Sequence, residues 1–205
     1  GRKCPEYSMM RSVLTAPDYA YGLFRSLWEE SGGALDGELR VDRNAVAELP
    51  AGTKRTLRAE SPPLSMLINF VNKYSNNVMA RHLLLTLGAE AYKEPATLSK
   101  SRQAVAAALK RRDMNFPELR LDNGSGLSRK TRISAESMAT VLLRALESPW
   151  APEYVSSLSL AGLDGTMRKR FRSENATGRA HLKTGRLNDV FATAGYVHAR
   201  SGREF

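Results

Sequence analysis

The sequence predicts an α+β domain in which a helical cluster packs on an antiparallel sheet, incomplete at both ends. Apolar positions recur at helical spacing through the middle of the chain, whereas the last quarter turns to two strand-like runs joined by a short polar connection. The 205 residues leave room for one sizeable core. A hydrophobic share of 42% and a charged share of 25% are those of a folded chain and exclude a disordered or collagen-like polymer.

Taken in order, Asp18 to Glu30 spaces Tyr21, Phe24, Leu27 and Trp28 as an amphipathic helix, with Ser31-Gly32-Gly33 as its stop. Residues 34–60 alternate short apolar runs with Gly and Pro, as in Leu35-Asp36-Gly37 and Leu49-Pro50-Ala51-Gly52, and suit short strands and turns. Ser61-Pro62-Pro63-Leu64 opens a helix that ends near Tyr74, with Ser61 as a candidate cap. A further helix runs from Asn77 to Leu87 with Gly88 at its C-terminal stop, so the two are linked only by Tyr74-Ser75-Asn76. Helices follow at Ala96–Arg111 and Ser134–Glu147, where Ser134 stands as a hydroxyl cap ahead of Met138, Val141, Leu142 and Leu146. After Pro149, Asp164-Gly165 marks a turn. Ala180–Gly185 and Val190–His198 then read as a hairpin whose connection holds Asn188 and Asp189, on a sheet with strands beyond this chain.

Lys and Arg number 31 against 21 Asp and Glu, a net +10 that favours anionic partners without choosing among them. The single Cys4 excludes an internal disulfide and a multi-cysteine zinc site. No stretch approaches the roughly 18 apolar residues that read as a membrane span, and no basic-then-apolar leader opens the chain.

Three segments carry candidate chemistry. His181-Leu182-Lys183-Thr184-Gly185 sets a cation, a hydroxyl and a glycine at a strand end: Lys183 for a carboxylate, Thr184 for a hydrogen bond, Gly185 for close approach of a ligand to the backbone. By itself the tripeptide also reads as a strand end and turn. Ser75-Asn76-Asn77 occupies a tight helix–helix junction where such residues ordinarily cap. Leu121–Arg129 is a Gly-rich polar loop without the Gly-Lys-Ser/Thr ending of a phosphate-binding loop.

These segments together resemble the D-alanyl-D-alanine carboxypeptidases/endopeptidases of the class C penicillin-binding proteins. The match is collinear: Ser75-Asn76-Asn77 as Ser-x-Asn, then Asn123–Arg129, Ala161–Thr166 and Lys183-Thr184-Gly185. Asn72-Lys73-Tyr74 before the first motif and Ala194–Val197 after the last extend it. The resemblance implies a serine DD-peptidase acting on peptidoglycan stem peptides through an acyl-enzyme and acylated by β-lactams, with no cofactor and no metal. Ser75 then corresponds to the hydroxyl that relays a proton to the leaving amine, Asn77 to the amide that holds the substrate's peptide group, and Lys183 with Thr184 to the carboxylate clamp. Gly185, Arg186 and Ser125 fall on the substrate-binding wall, Arg186 at the position whose backbone N–H helps form an oxyanion hole.

The family's nucleophile motif, Ser-x-x-Lys, is absent. Three residues before the lysines stand Ala51, Phe70, Glu90, Thr97, Ala107, Leu127, Thr166 and Ala180, and Lys3 has no such residue. Residues 1–205 are therefore expected to be the C-terminal portion of a penicillin-binding domain, lacking the nucleophile and inactive alone, from a secreted periplasmic parent whose signal peptide lies elsewhere. His82, His181 and His198 lack a Gly-x-Ser-x-Gly partner motif and read as structural. The rival reading is a non-catalytic basic binding module for peptidoglycan or nucleic acid, based on Arg129-Lys130-Thr131-Arg132 and Arg168-Lys169-Arg170-Phe171-Arg172. With one interleaved aromatic and no nucleic-acid motif, these runs read as solvated basic faces, so no nucleic-acid partner is expected.

Overall fold

The computed structural model describes residues 13–41, 52, 60–172, 175–203 and 205. It divides into two units, Gly1–Arg58 and Ala59–Phe205. Cys4 and the expected strands over 42–59 lie outside the described residues, apart from Gly52 in a turn. Residues 34–41 form no strand.

The first unit is built on α1 (Ala16–Glu30), whose N-terminus is capped by Thr15 and preset by Pro17. The chain beyond α1 folds back on it: Trp28 Nε1 donates to Ala34 O at 3.0 Å and Tyr21 Oη donates to Gly37 O at 2.5 Å. Gly33 is required there, because a Cβ would sit 2.2 Å from the Trp28 indole nitrogen. Phe24 stacks on Trp28 at 6.0 Å, and the apolar stripe read as amphipathic stays largely exposed.

In the second unit α2 (Leu64–Tyr74) and α3 (Asn77–Tyr92) are separated by two residues, and α4 (Leu98–Lys110) packs back against α3. Pro63 precedes α2 with no side-chain cap, so Ser61 does not play the expected role. α3 runs past its expected stop: Gly88 is inside the helix and buried, where a Cβ would meet Ser101 Oγ at 2.4 Å and Ser101 Cα at 2.8 Å. That glycine lets α4 approach, and the helix ends instead at Lys93 in the left-handed region. Thr97 and Ser134 cap α4 and α5 (Ala135–Leu146) through the N–H groups of Lys100 and Ser137.

Two elements went unread in the sequence: α6 (Ala151–Ser157) and the two-residue β1 (Ser159–Leu160), followed by a 3-10 turn, Gly165–Met167. β2 (Ala180–Leu187) and β3 (Val190–Val197) form the expected hairpin, closed by Asn188-Asp189 with Asp189 at φ 64°. The antiparallel sheet has the order β1-β2-β3, with Lys183 opposite Ala194 and Arg186 opposite Phe191. Leu158, Ala161, Met167, Ala180 and Tyr196 form the core at the root of this sheet. The architecture is the α+β arrangement of helices with an antiparallel sheet.

Candidate functional site

The α2–α3 junction divides its work among three residues. Asn76 caps α3, its Oδ1 accepting from Met79 N at 3.0 Å, so capping does not consume Ser75 or Asn77. Ser75 ends α2 with φ 52° and ψ 47°, a conformation that costs a non-glycine residue about 1 kcal/mol or more. It turns the hydroxyl toward β2, where Lys183 Nζ donates to Ser75 Oγ at 2.5 Å and to the Thr184 carbonyl at 3.0 Å. The structure thus brings together motifs 108 residues apart. Lys183 is half-buried, and desolvation lowers its pKa from the ordinary lysine value.

A second chain of contacts fixes Thr184. Its Oγ1 donates to Thr166 Oγ1 at 3.0 Å, and Thr166 N donates to the fully buried Ser159 Oγ at 3.2 Å. Asp164 anchors the turn that carries Thr166: Oδ1 accepts from Leu160 N at 2.7 Å and Oδ2 pairs with Lys73 Nζ at 2.6 Å. Lys73, two residues before Ser75 and only 13% exposed, also donates to Leu158 O at 2.7 Å. Asn72 Nδ2 donates to Ser157 Oγ at 2.7 Å, a second tie between the end of α2 and the start of the sheet. Gly165, at φ +51°, lets these parts meet, since a Cβ would lie 2.3 Å from Ser159 Oγ and 2.7 Å from Lys73 O.

Asn77 Nδ2 donates to Ser125 O at 2.6 Å. The Ser125 hydroxyl is engaged within its own turn, donating to Asn123 Oδ1 at 2.8 Å and accepting from Leu127 N at 3.2 Å. Ser125 therefore touches the site through its carbonyl. Gly185 stands opposite Ala192 in the ladder and offers only backbone, and the Arg186 guanidinium lies over the Phe191 ring at 5.5 Å, away from the Ser75–Lys183 contact. Arg129 Nη2 donates to Asn188 O at 2.7 Å and links the 123–129 loop to the hairpin tip.

Sequence reasoning missed Lys73, Asp164 and Thr166 as parts of this wall. Lys73 figured only as a flank of the Ser-x-Asn motif, and Asp164 and Thr166 only inside the Ala161–Thr166 match with no side-chain role given to either. His181, edge-to-face with His198 at 6.0 Å, has a pKa lowered chiefly by desolvation, consistent with a structural role. Among the described residues no three His, Cys, Asp or Glu side chains gather to hold a metal ion, and no helix is long and apolar enough to cross a membrane.

A wall of this kind, Ser-x-Asn at a helix junction against Lys-Thr-Gly on a strand, defines a class. The chain belongs to the D-Ala-D-Ala carboxypeptidase 3 (S13) family, which it matches over residues 1–205. It is 33% identical over 198 residues to a D-alanyl-D-alanine carboxypeptidase of Actinomadura sp. strain R39, covering 94% of this chain and 36% of that protein. Among solved structures it is similar to penicillin binding protein 4 of Haemophilus influenzae, with TM-score 0.65 and 28% identity over 69% of this chain and 32% of that one. Another structure of that protein, complexed with a β-lactam, shares the fold at TM-score 0.76 and 23% identity, covering 95% of this chain and 44% of that one. The chain spans about a third of the length of the curated relatives it matches.

Proposed function

We propose that this chain forms the substrate-binding wall of a serine D-Ala-D-Ala carboxypeptidase/endopeptidase acting on peptidoglycan stem peptides in the periplasm. The observation that carries it is the Lys183 Nζ contact to Ser75 Oγ at 2.5 Å, with Thr184 held beside it by Thr166. A serine hydroxyl from a Ser-x-x-Lys motif outside these 205 residues attacks the carbonyl of the penultimate D-alanine, forming an ester and expelling the terminal D-alanine. The lysine of that motif takes the attacking serine's proton, Ser75 relays it to the departing amine, and Lys183 Nζ, donating to Ser75 Oγ, orients the relay and keeps its own charge. Thr184 and the Lys183 charge receive the terminal carboxylate. Asn77, with one amide hydrogen committed to Ser125 O, keeps its Oδ1 and second N–H for the substrate's peptide group. Water then hydrolyses the ester, and a β-lactam enters by the same acylation.

Labelled penicillin and intact-mass measurement test this reading. The parent protein is expected to take up one equivalent, and its Lys183→Ala variant to acylate at least about a hundredfold more slowly, the scale of losing one preorganised electrostatic donor. The 205-residue chain is expected to gain no adduct. A stoichiometric adduct on the chain overturns the placement of the nucleophile, and an unreactive parent overturns the activity.

A further inference from the structure

A second site lies between α4 and the segment that leads into the loop seating Asn77. α4 and the 119–122 segment enclose a cleft of about 430 Å³, within the size range of small-ligand sites. Val105, Ala106, Leu119 and Leu121 line it, and Arg102, Arg120 and Lys130 stand at its edge beside Asp122. The charges do not balance: Arg102 lies 3.9 Å from Asp122 Oδ1, and that carboxylate is the one acid in the lining. Arg120 Nη1 donates only to the carbonyls of Pro117 and Leu119, each at 3.3 Å. Among the described residues neither Arg120 nor Lys130 forms an ion pair with a carboxylate, which leaves the cleft an excess of two positive charges.

The cations are presented by an ordered frame. Arg120 and Arg132 exchange backbone hydrogen bonds at 2.9 Å, Arg102 Nη1 donates to Asp122 O at 3.2 Å, and Asp122 N donates to Thr131 Oγ1 at 3.3 Å. Two arginines and a lysine lining one cleft with aliphatic side chains match a ligand with a compact, doubly charged head and an apolar stem. A phosphate ester carries about −1.5 to −2 at neutral pH and three acceptor oxygens.

We propose that this cleft binds a phosphate ester bearing an aliphatic group, its phosphate between Arg102, Arg120 and Lys130 and its stem on Val105, Ala106, Leu119 and Leu121. The site is separate from the Ser75–Lys183 wall and does not depend on the peptidase reading. It gives a local purpose to part of the chain's +10 charge.

Isothermal titration of the 205-residue chain with octyl phosphate tests the proposal, octyl glucoside being the neutral control. Saturable one-to-one binding of octyl phosphate is expected, without comparable binding of the glucoside. Arg102→Ala/Arg120→Ala is expected to weaken it by at least about tenfold, the effect of losing charge-assisted hydrogen bonds. Arg168→Ala/Arg170→Ala, in a basic run elsewhere, should leave it unchanged. Circular dichroism of both variants checks that they fold, which their exposed positions favour. Absence of saturable binding, equal binding of the glucoside, or equal weakening by both double variants overturns the site. Sedimentation with phosphatidylglycerol and phosphatidylcholine vesicles separates two sources of the same chemistry. Capture by the anionic vesicles that is lost in Arg102→Ala/Arg120→Ala identifies a lipid headgroup. Octyl phosphate binding without such capture identifies a soluble phosphate ester.

Discussion

The two ends of the β2–β3 hairpin are built in opposite ways. At its root Ala180 and Tyr196 are buried, β1 completes the ladder, and Tyr196 Oη donates to Leu142 O at 2.7 Å. Tyr154 meets the Tyr196 ring edge-on at 6.3 Å. At the tip Val190 and Phe191 face solvent, and the side-chain contacts are the Arg186–Phe191 stack and the Arg129 bond to Asn188 O. Lys183-Thr184-Gly185 lies at the changeover. Lys183 reaches back to Ser75 at the end of α2, while the next residues pass into the exposed ladder. A strand arranged in this way anchors its polar contacts at the buried end and leaves the edge beyond it exposed.

The sharpest way to break this contrast is Gly195→Ala. Gly195 has φ +154°, and a Cβ there would lie 2.0 Å from His181 O, so β3 cannot accept it without leaving β2 at the Leu182–Gly195 pair. Backbone strain and overpacking together are expected to cost about 3 kcal/mol or more. Urea denaturation measures it, and a loss below about 1 kcal/mol, an ordinary single-substitution effect, would show that the root is not the rigid end.

A smaller effect is expected from Tyr196→Phe, which leaves the Leu142 carbonyl without its partner and costs about 1 kcal/mol. The same residue gives the root a pH signature. Burial pushes the Tyr196 phenol up to about 12 from an ordinary 10.0, with the Tyr154 phenolate adding to it. A raised pKa contributes stability that is complete below the unfolded value and lost as pH rises through the folded one. The chain should therefore lose stability from pH 10 toward 12, and Tyr196→Phe should flatten that decline in denaturation midpoints taken across the range. An unchanged slope would assign alkaline unfolding to other groups.

The hairpin was legible in the sequence because a two-residue polar turn between β-rich runs is a local signal. The α2–α3 junction was legible for the same reason: a serine and two asparagines between two apolar periodicities leave room for little else. What escaped was non-local. Gly88 looked like a helix stop because a glycine near a helix end usually is one; its purpose is the approach of Ser101 on another helix, which no spacing reveals. Pro149 and Pro152 masked α6, a seven-residue helix too short to show a period. Lys73, Asp164 and Thr166 each have ordinary local readings, and only the fold brings Asp164 to Lys73 across 91 positions. The motif order placed Ser75, Asn77, Lys183 and Thr184 on one wall but did not separate Ser125, which contributes its carbonyl, from Gly185 and Arg186, which lie farther along the strand.

The smallest effects belong at the tip, and they sharpen the comparison by being small. Phe191 is 73% exposed, and its ring contact with the Arg186 guanidinium spans 5.5 Å at the surface. An exposed cation–π contact of this type contributes about 0.5 kcal/mol. Phe191→Ala and Arg186→Ala are each expected to lower stability by about that amount, and the double variant by less than their sum, because both singles remove the same contact. Thermal denaturation of all four proteins closes the cycle. Because Arg186 follows Gly185 directly, any larger loss would have to travel through the ladder to the Lys183–Ser75 contact. A loss above about 1.5 kcal/mol in either single variant, beyond the ordinary range for exposed positions, would make the tip a packed continuation of the root.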